Sequence, residues 1–283
     1  MTALWSIVSF FLNLPDIFDI LVVLFLILAF VRGALRGFWR AFWRFLFVII
    51  VLDFSYLTLI EPFAHFINYG FWSMMGMTIN VTLGGIVYHL SSFDDLIRQV
   101  VTYSSSMGYV PAGSKLLDPA YVAAFGMAFS KVIGWMVIIL GTHFFSWVLS
   151  SLLYVFPVRL MVSPTAREHK YRPLGAIFGG LTGFIYVVCF SVILSPLHYG
   201  FAAMANSSQY PYIFSEYTMK TAEVLNPNTS ILFGWIDYDG KPGGILRDVF
   251  SFQVTDDLSG ETTTYYFDQE FVTFIADTTA PAE

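Results

Sequence analysis

Long apolar runs constrain this chain more than any other feature of its sequence. Four of them, at 17–35, 41–60, 122–149 and 174–197, can each cross a bilayer, which takes about 20 apolar residues in a helix. Charged residues make up only 12% of the 283 residues, where a soluble domain carries about 25%. So little polar surface cannot cover 30 Phe, 16 Tyr and 7 Trp in water. The sequence therefore predicts an all-α membrane protein, a bundle of four transmembrane helices.

The remaining segments divide around these spans. Residues 1–15 are predicted to form an interfacial N-terminal segment, and residues 16–60 to contain the first two spans. Residues 61–121 form a long loop, 122–197 contain spans three and four, and 198–283 form an acidic tail. The chain is thus predicted to expose two large segments on the membrane surface.

Within the long loop, the stretch 66–90 is rich in apolar residues but is broken by polar and glycine positions. We predict that it is re-entrant or interfacial. If it crossed the membrane instead, the two basic connections of the bundle would face opposite sides. The interrupting residues are Asn68, Gly70, Asn80, Gly84 and Gly85.

The tail has a different pattern. Its segments 231–238, 249–254 and 264–275 are rich in aromatic and β-branched residues and are separated by Gly, Pro and Asp. This pattern predicts a small, partly β module at the C-terminal end.

Charge predicts how the bundle is oriented. The connection between spans one and two carries four arginines and no acidic residue, and that between spans three and four carries four basic residues against one acidic. The tail carries three basic residues against twelve acidic ones. Basic connections stay in the cytoplasm, so the N-terminus, the long loop and the tail are predicted to be extracytoplasmic.

Two short glycine patterns stand at helix boundaries. The first is FVRGALRGF at 30–38, and the second is YRPLGAIFGGLTG at 171–183, followed by a polar stretch and YPYIF before residue 215. Together they resemble the colicin V production protein family of CvpA-like bacterial membrane proteins. The resemblance covers about 16–60 and 125–215. The matching positions are Asp19, Gly33, Arg36, Gly37, Arg172, Gly175 and Gly179.

The resemblance implies a four-helix protein of the bacterial cytoplasmic membrane. It further implies a role in toxin export or cell-envelope maintenance, without established catalytic residues. The segments 61–120 and 216–283 lie outside the resemblance.

A basic stripe is predicted at the first connection. Arg32, Arg36, Arg40 and Arg44 recur every four residues, which places them along one slowly turning face of a continuous helix. They either set the topology and extend to the interface, or contact anionic lipids or a protein partner. Near a charged surface each basic residue contributes about 1 kcal/mol.

Small residues predict close helix contacts. Gly175, Gly179 and Gly183 share one face of span four, and Gly126, Ser130 and Gly134 repeat the spacing in span three. Small side chains allow backbones to approach in a membrane. We predict packing within the bundle, with self-association into a homo-oligomer as the alternative.

Asp53 and Lys131 are the most deeply placed charged residues of the spans. They have opposite sign and similar predicted depth, which predicts a structural ion pair, because an unpaired charge there is costly. A proton or ion path that also uses His143 is the alternative.

No catalytic motif occurs in the sequence, which predicts no enzyme, no cofactor and no nucleic-acid partner. A single cysteine, Cys189, excludes a thiolate metal site within one chain. Two function classes remain. The first is a non-catalytic scaffold for toxin export or envelope maintenance, with lipid and membrane-protein partners. The second is a small transporter or channel subunit that uses Asp53, Lys131 and His143.

Overall fold

The computed structural model describes residues 17–153, 171–206, 219–221, 248–255 and 260–279. The predicted interfacial segment 1–15, most of the second basic connection and the predicted strand at 231–238 lie outside the described residues.

The described chain is mostly helical, with two short β-hairpins. The elements in chain order are α1 (Ile17–Arg36), α2 (Phe38–Phe54), α3 (Ile60–His65), α4 (Phe71–Met75), β1 (Ile79–Leu83), β2 (Ile86–Leu90), α5 (Phe93–Ser106), α6 (Pro119–Leu153), α7 (Arg172–Asn206), β3 (Ser251–Thr255), β4 (Thr262–Tyr266) and α8 (Phe267–Thr279).

Gly37 separates α1 from α2. Its φ of 80° lies in the left-handed region, which costs a residue with a Cβ far more than glycine. The condition for one stripe, a continuous helix from Arg32 to Arg44, is therefore not met. Arg32 and Arg36 belong to α1, whereas Arg40 and Arg44 belong to α2.

The second span is longer than predicted. After α2 the chain stays helical to Met75, through π-helical turns at Ser55–Leu59 and Phe66–Gly70. Pro62 lies in α3, the helix that directly follows the first of these turns. A proline has no backbone N–H to donate to the preceding turn, and the π-helical turn that precedes it is a local departure from the α-helical hydrogen-bond pattern.

The stretch 66–90 is therefore not a single structural element, and its placement as re-entrant or interfacial stays a prediction. Its first ten residues continue the second span, and β1 and β2 form an antiparallel hairpin with Leu83 opposite Ile86. The two turn residues, Gly84 and Gly85, both have positive φ. This is the backbone that a tight hairpin turn requires.

Three helices of the described chain are long and apolar enough to cross a membrane: Phe38–Met75, Pro119–Leu152 and Arg172–Phe190. They correspond to predicted spans two, three and four. Predicted span one coincides with α1, but α1 is not among these three helices. A count of four spans therefore stays a prediction. Large apolar side chains on these helices are exposed, among them Leu57, Leu140 and Phe144, as expected for surfaces in contact with lipid.

One core joins the bundle to the C-terminal module. Helix α7 packs on α1, α2 and α8, and α6 packs on α2, α3 and α5. Buried side chains run from Val48 and Trp135, in the bundle, to Phe125, Phe252 and Phe267. The module formed by β3, β4 and α8 is thus docked on the bundle rather than separate from it.

The predicted strand at 249–254 largely coincides with β3, but the strand predicted at 264–275 is wrong over most of its length. Residues from Phe267 onward form α8. Phe267, Phe271 and Phe274 recur at helical spacing and pack in or against the core. Ile275, on the same helix, is buried.

Candidate functional site

A cavity of about 230 Å³ lies between α1, α2, α6 and α7, at the basic end of the bundle. We call it the arginine cavity, because three arginines are among its lining residues. Its polar lining residues are Arg32, Arg36, Arg44, His143, Thr182 and Tyr186.

Glycine contacts bring α1 and α7 together beside this cavity. A Cβ placed on Gly179 would lie 2.7 Å from the Cα of Gly33, and one on Gly175 would lie 2.6 Å from the Gly33 carbonyl oxygen. Cβ atoms do not tolerate such distances to a backbone. A Cβ on Gly183 would similarly lie 2.7 Å from the Cβ of Ala29. The glycine face of α7 is therefore occupied by α1 of the same chain, and self-association through this face would require α1 to leave.

The break at Gly37 selects which arginines reach the cavity. Arg32 and Arg36 approach it from α1 and Arg44 from α2, while Arg40 is not among the lining residues. No acidic residue of the described chain lines the cavity, and none of the three lining arginines forms a salt bridge within the described residues. The arrangement is thus a set of like charges without a counterion from the described protein.

Arg44 is the most buried of these arginines, with 8% of its surface exposed. Its Nη2 lies 3.4 Å from Nδ1 of His143, whose ring lies 5.2 Å from that of Tyr186. The Nε of Arg44 and the buried hydroxyl of Tyr186 have no hydrogen-bond partner of normal geometry among the described residues. Each unsatisfied buried polar group costs about 1–3 kcal/mol.

The predicted pair of Asp53 and Lys131 is not formed. Lys131 pairs with Glu61 instead, and Asp53 is exposed and borders a second cavity of about 310 Å³ near Trp135 and Cys189. The reason is the length of the second span. Because its helix continues beyond residue 60, Glu61 stays on the helix and faces Lys131 on α6.

These positions also bear on the predicted ion path. His143 lines the arginine cavity, Asp53 lines the second cavity, and Lys131 is paired with Glu61. The structure therefore does not bring the three residues of the transporter hypothesis together.

The small residues of α6 accommodate α3 and α5. A Cβ on Gly126 would lie 2.9 Å from Oδ1 of Asp94, and one on Gly134 would lie 3.4 Å from side chains of α3 and the turn after it. Ser130 is fully buried, and its hydroxyl donates to the Gly126 carbonyl at 3.1 Å. This face thus serves contacts within the chain.

Asp94 lies at the first turn of α5, against Gly126. Its backbone N–H donates to Oδ1 of Asn68 at 3.1 Å, and the Tyr69 hydroxyl donates to its Oδ2 at 3.3 Å. Burial raises the pKa of the Asp94 carboxyl above its ordinary value, an effect that the Tyr69 hydrogen bond and the charge of Arg98 oppose.

This pKa shift predicts a pH-dependent variant. A raised pKa in the folded state means that stability is highest below the unfolded-state pKa, about 3.9, and falls as the pH rises through the folded-state value. Asp94→Asn does not titrate at this position. Its melting temperature relative to wild type should therefore be higher at neutral pH than in acid. A relative melting temperature that is the same at both pH values would contradict this.

A polar clamp that the sequence did not reveal holds α8. Lys115 Nζ lies 3.1 Å from Oε1 of Glu270 and 4.5 Å from the centre of the Tyr265 ring. The Tyr121 hydroxyl donates to Oε2 of Glu270 at 2.5 Å, and Ser114 donates to Asp277 at 2.7 Å. No motif predicts this clamp, because its members are separated by more than 140 residues in the sequence.

Glu270→Gln should loosen the C-terminal module. The substitution removes the charge that Lys115 and Tyr121 share, at a cost of about 1–3 kcal/mol. We expect limited proteolysis in detergent to cleave the module faster than in wild type. Asp248→Asn, at an exposed carboxylate just before β3, is the control and should leave cleavage unchanged. Equal cleavage of both variants would show that the clamp does not hold α8.

The residues of the family resemblance fall into two groups. Gly33, Gly37, Gly175 and Gly179 meet at the contact of α1 with α7, and Arg36 lines the adjacent cavity. Asp19 lies in the first turn of α1, and Arg172 begins α7 at an exposed position.

Comparison of the chain with protein-family models, with curated proteins and with solved structures finds no match. The resemblance to the colicin V production protein family therefore stays an expectation from the sequence. What the described residues do define is a helical protein with three helices long and apolar enough to cross a membrane, a close glycine contact and a basic cavity beside it.

Proposed function

We propose that this protein is a non-catalytic membrane scaffold, similar to CvpA-like proteins, that assists toxin or bacteriocin export or maintains the cell envelope. In this proposal four spans cross the bacterial cytoplasmic membrane. Both basic connections lie in the cytoplasm, and the N-terminus, the hairpin region and the C-terminal module lie outside.

The observation that carries the proposal is the docking of the C-terminal module on the bundle. Phe252 and Phe267 share one core with Phe125 of α6, and Lys115 and Tyr121 clamp Glu270 of α8. A module held this way presents a fixed surface at the acidic end of the bundle. Such a surface suits a scaffold, because binding does not first require the module to be ordered.

The transporter hypothesis has less support. It rests on Asp53, Lys131 and His143, which lie in three different environments of the described structure. A proton path needs titratable groups in sequence, and these three residues do not form a chain.

Photo-crosslinking in native membranes tests the proposal. A photoreactive residue at Thr263, exposed on β4, should give a discrete protein adduct. The same residue at Leu140, exposed on a predicted lipid-facing surface, should give none. The Thr263 adduct should weaken in Glu270→Gln, because that variant loosens the module.

A flux assay completes this test. Purified protein in liposomes should not move protons or monovalent ions above the rate of protein-free liposomes. Flux that disappears in Asp53→Asn, together with no adduct at Thr263, would overturn the scaffold role in favour of the transporter.

A further inference from the structure

We propose that the arginine cavity binds the phosphate group of an anionic ligand, supplied either by a lipid headgroup or by a soluble phosphate compound. This site is independent of the scaffold role, since it lies at the opposite end of the bundle from the C-terminal module. It also differs from a diffuse basic surface, because it involves three particular arginines around one partly open cavity.

The charge arrangement requires a counterion. Arg32, Arg36 and Arg44 converge on one cavity, and within the described residues neither a salt bridge nor an acidic lining residue compensates them. Arg44 is buried and Arg36 half-buried, whereas Arg32 is exposed. A buried charge is costly unless an opposite charge joins it. A bound dianion or monoanion would supply that charge.

The donors also suit phosphate in particular. Arg44 is 8% exposed and its Nε has no partner among the described residues. The buried Tyr186 hydroxyl lies close to Arg44 and makes no hydrogen bond of normal geometry within the described residues. A guanidinium presents two parallel N–H donors that match two oxygens of a phosphate. The Thr182 hydroxyl is already used, because it donates to the Phe178 carbonyl at 2.8 Å.

The cavity has room for such a group. Its volume of about 230 Å³ is several times the roughly 30 Å³ that one water molecule occupies in the liquid. Phe25, Leu28 and Ala29 of α1 form the apolar part of its wall. A phosphate with an attached apolar chain could therefore place its charge among the arginines and its chain along α1.

The shape of the site depends on the glycine contact. Gly33, Gly179 and Gly183 belong both to the cavity wall and to the contact of α1 with α7. Close approach of the two backbones keeps Arg32 and Arg36 on the same side of the bundle as Arg44. The phosphate site and the helix contact are thus parts of one structure.

Binding measurements on the purified full-length protein in maltoside detergent test this proposal. The probes are a short-chain phosphatidylglycerol, glycerol 3-phosphate and inorganic phosphate, with a short-chain diacylglycerol as the uncharged control. We expect at least one phosphate probe to bind and the diacylglycerol not to bind. Preference for phosphatidylglycerol identifies a lipid source, and binding of the water-soluble probes identifies a soluble one.

Variants distinguish a site from general attraction. Arg44→Gln and Arg36→Gln should each weaken binding by about tenfold or more, as expected for loss of a charge-assisted hydrogen bond. Arg40→Gln makes the same change in net charge outside the cavity and should retain wild-type affinity. If Arg44→Gln does not fold, Arg36→Gln still decides the matter, because Arg36 is only half-buried. Equal weakening by Arg40→Gln and Arg36→Gln, or no binding of any phosphate probe, would overturn the proposal.

Discussion

Gly179→Leu should unfold or strongly destabilise the bundle. The Cβ of the new side chain would meet the carbonyl oxygen of Ala29 and the Cα of Gly33, both of them backbone atoms. A backbone cannot rotate aside as a flexible side chain can, so the two helices must separate. Overpacking of a core costs about 1–3 kcal/mol and occasionally more, and we expect the upper end of this range. The measurement is the fraction of protein that stays monodisperse in detergent after heating.

Gly141→Leu is the matched control for this experiment. Gly141 lies within α6, and no atom lies within 4 Å of a Cβ placed there. Leucine also favours helix more than glycine does, so this variant should be as stable as wild type. Gly200 is unsuitable as a control, because a Cβ there would collide with the Phe271 ring. Equal stability of Gly179→Leu and Gly141→Leu would show that α1 and α7 do not meet as described.

The second large effect concerns the pair of Glu61 and Lys131. The Lys131 side chain is only 11% exposed, whereas that of Glu61 is 59% exposed. Glu61→Gln therefore leaves a nearly buried ammonium without its partner. Breaking a buried pair costs about 3–5 kcal/mol, and the exposure of Glu61 reduces our expectation to about 2–3 kcal/mol.

The partner variants should differ in a predictable way. Lys131→Met removes the buried charge and leaves an exposed carboxylate, so it should cost less than Glu61→Gln. The double variant should regain most of the stability that Glu61→Gln loses. Asp53→Asn is the control, because Asp53 makes no ion pair with Lys131. The loss of stability caused by Lys131→Met should be the same in the wild-type and the Asp53→Asn background. The measurement is the denaturant midpoint of each purified variant. If Lys131→Met restored the stability of Asp53→Asn but not that of Glu61→Gln, the partner of Lys131 would be Asp53 and not Glu61.

The glycine contacts show how much of this fold the sequence predicts. The spacing of Gly175, Gly179 and Gly183 predicts a face that packs closely, because only a missing side chain admits a neighbouring backbone. The same spacing does not identify the neighbour. That α1 supplies it, through Gly33 and Ala29, follows only from the path of the chain in three dimensions.

The pair of Glu61 and Lys131 shows why the depth of a charged residue in a span is hard to predict from the sequence. Placing Asp53 opposite Lys131 assumed that the second span ends near residue 60. The helix instead passes Pro62 behind a π-helical turn and continues to Met75. Apolar periodicity does not reveal this extension, because Glu61, Pro62 and His65 interrupt the apolar run just beyond residue 60.

The basic stripe shows the effect of a single backbone angle. A four-residue spacing of arginines predicts one face only if the helix is continuous, and the positive φ of Gly37 interrupts it. The arginine cavity results from this break, since Arg36 and Arg44 then approach one volume from two helices. The sequence feature that marks this break is Gly37, which lies between Arg36 and Arg40.

Both the scaffold role and the side of the membrane on which the arginine cavity lies depend on the orientation of the bundle. Protease treatment of intact spheroplasts tests it most directly, with one epitope tag after Glu283 and, in a second version, one tag within 160–166. We predict that the C-terminal tag is removed from intact spheroplasts, whereas the tag in the basic connection is cleaved only after lysis. Protection of the C-terminal tag, with cleavage of the tag in the connection, would contradict the account.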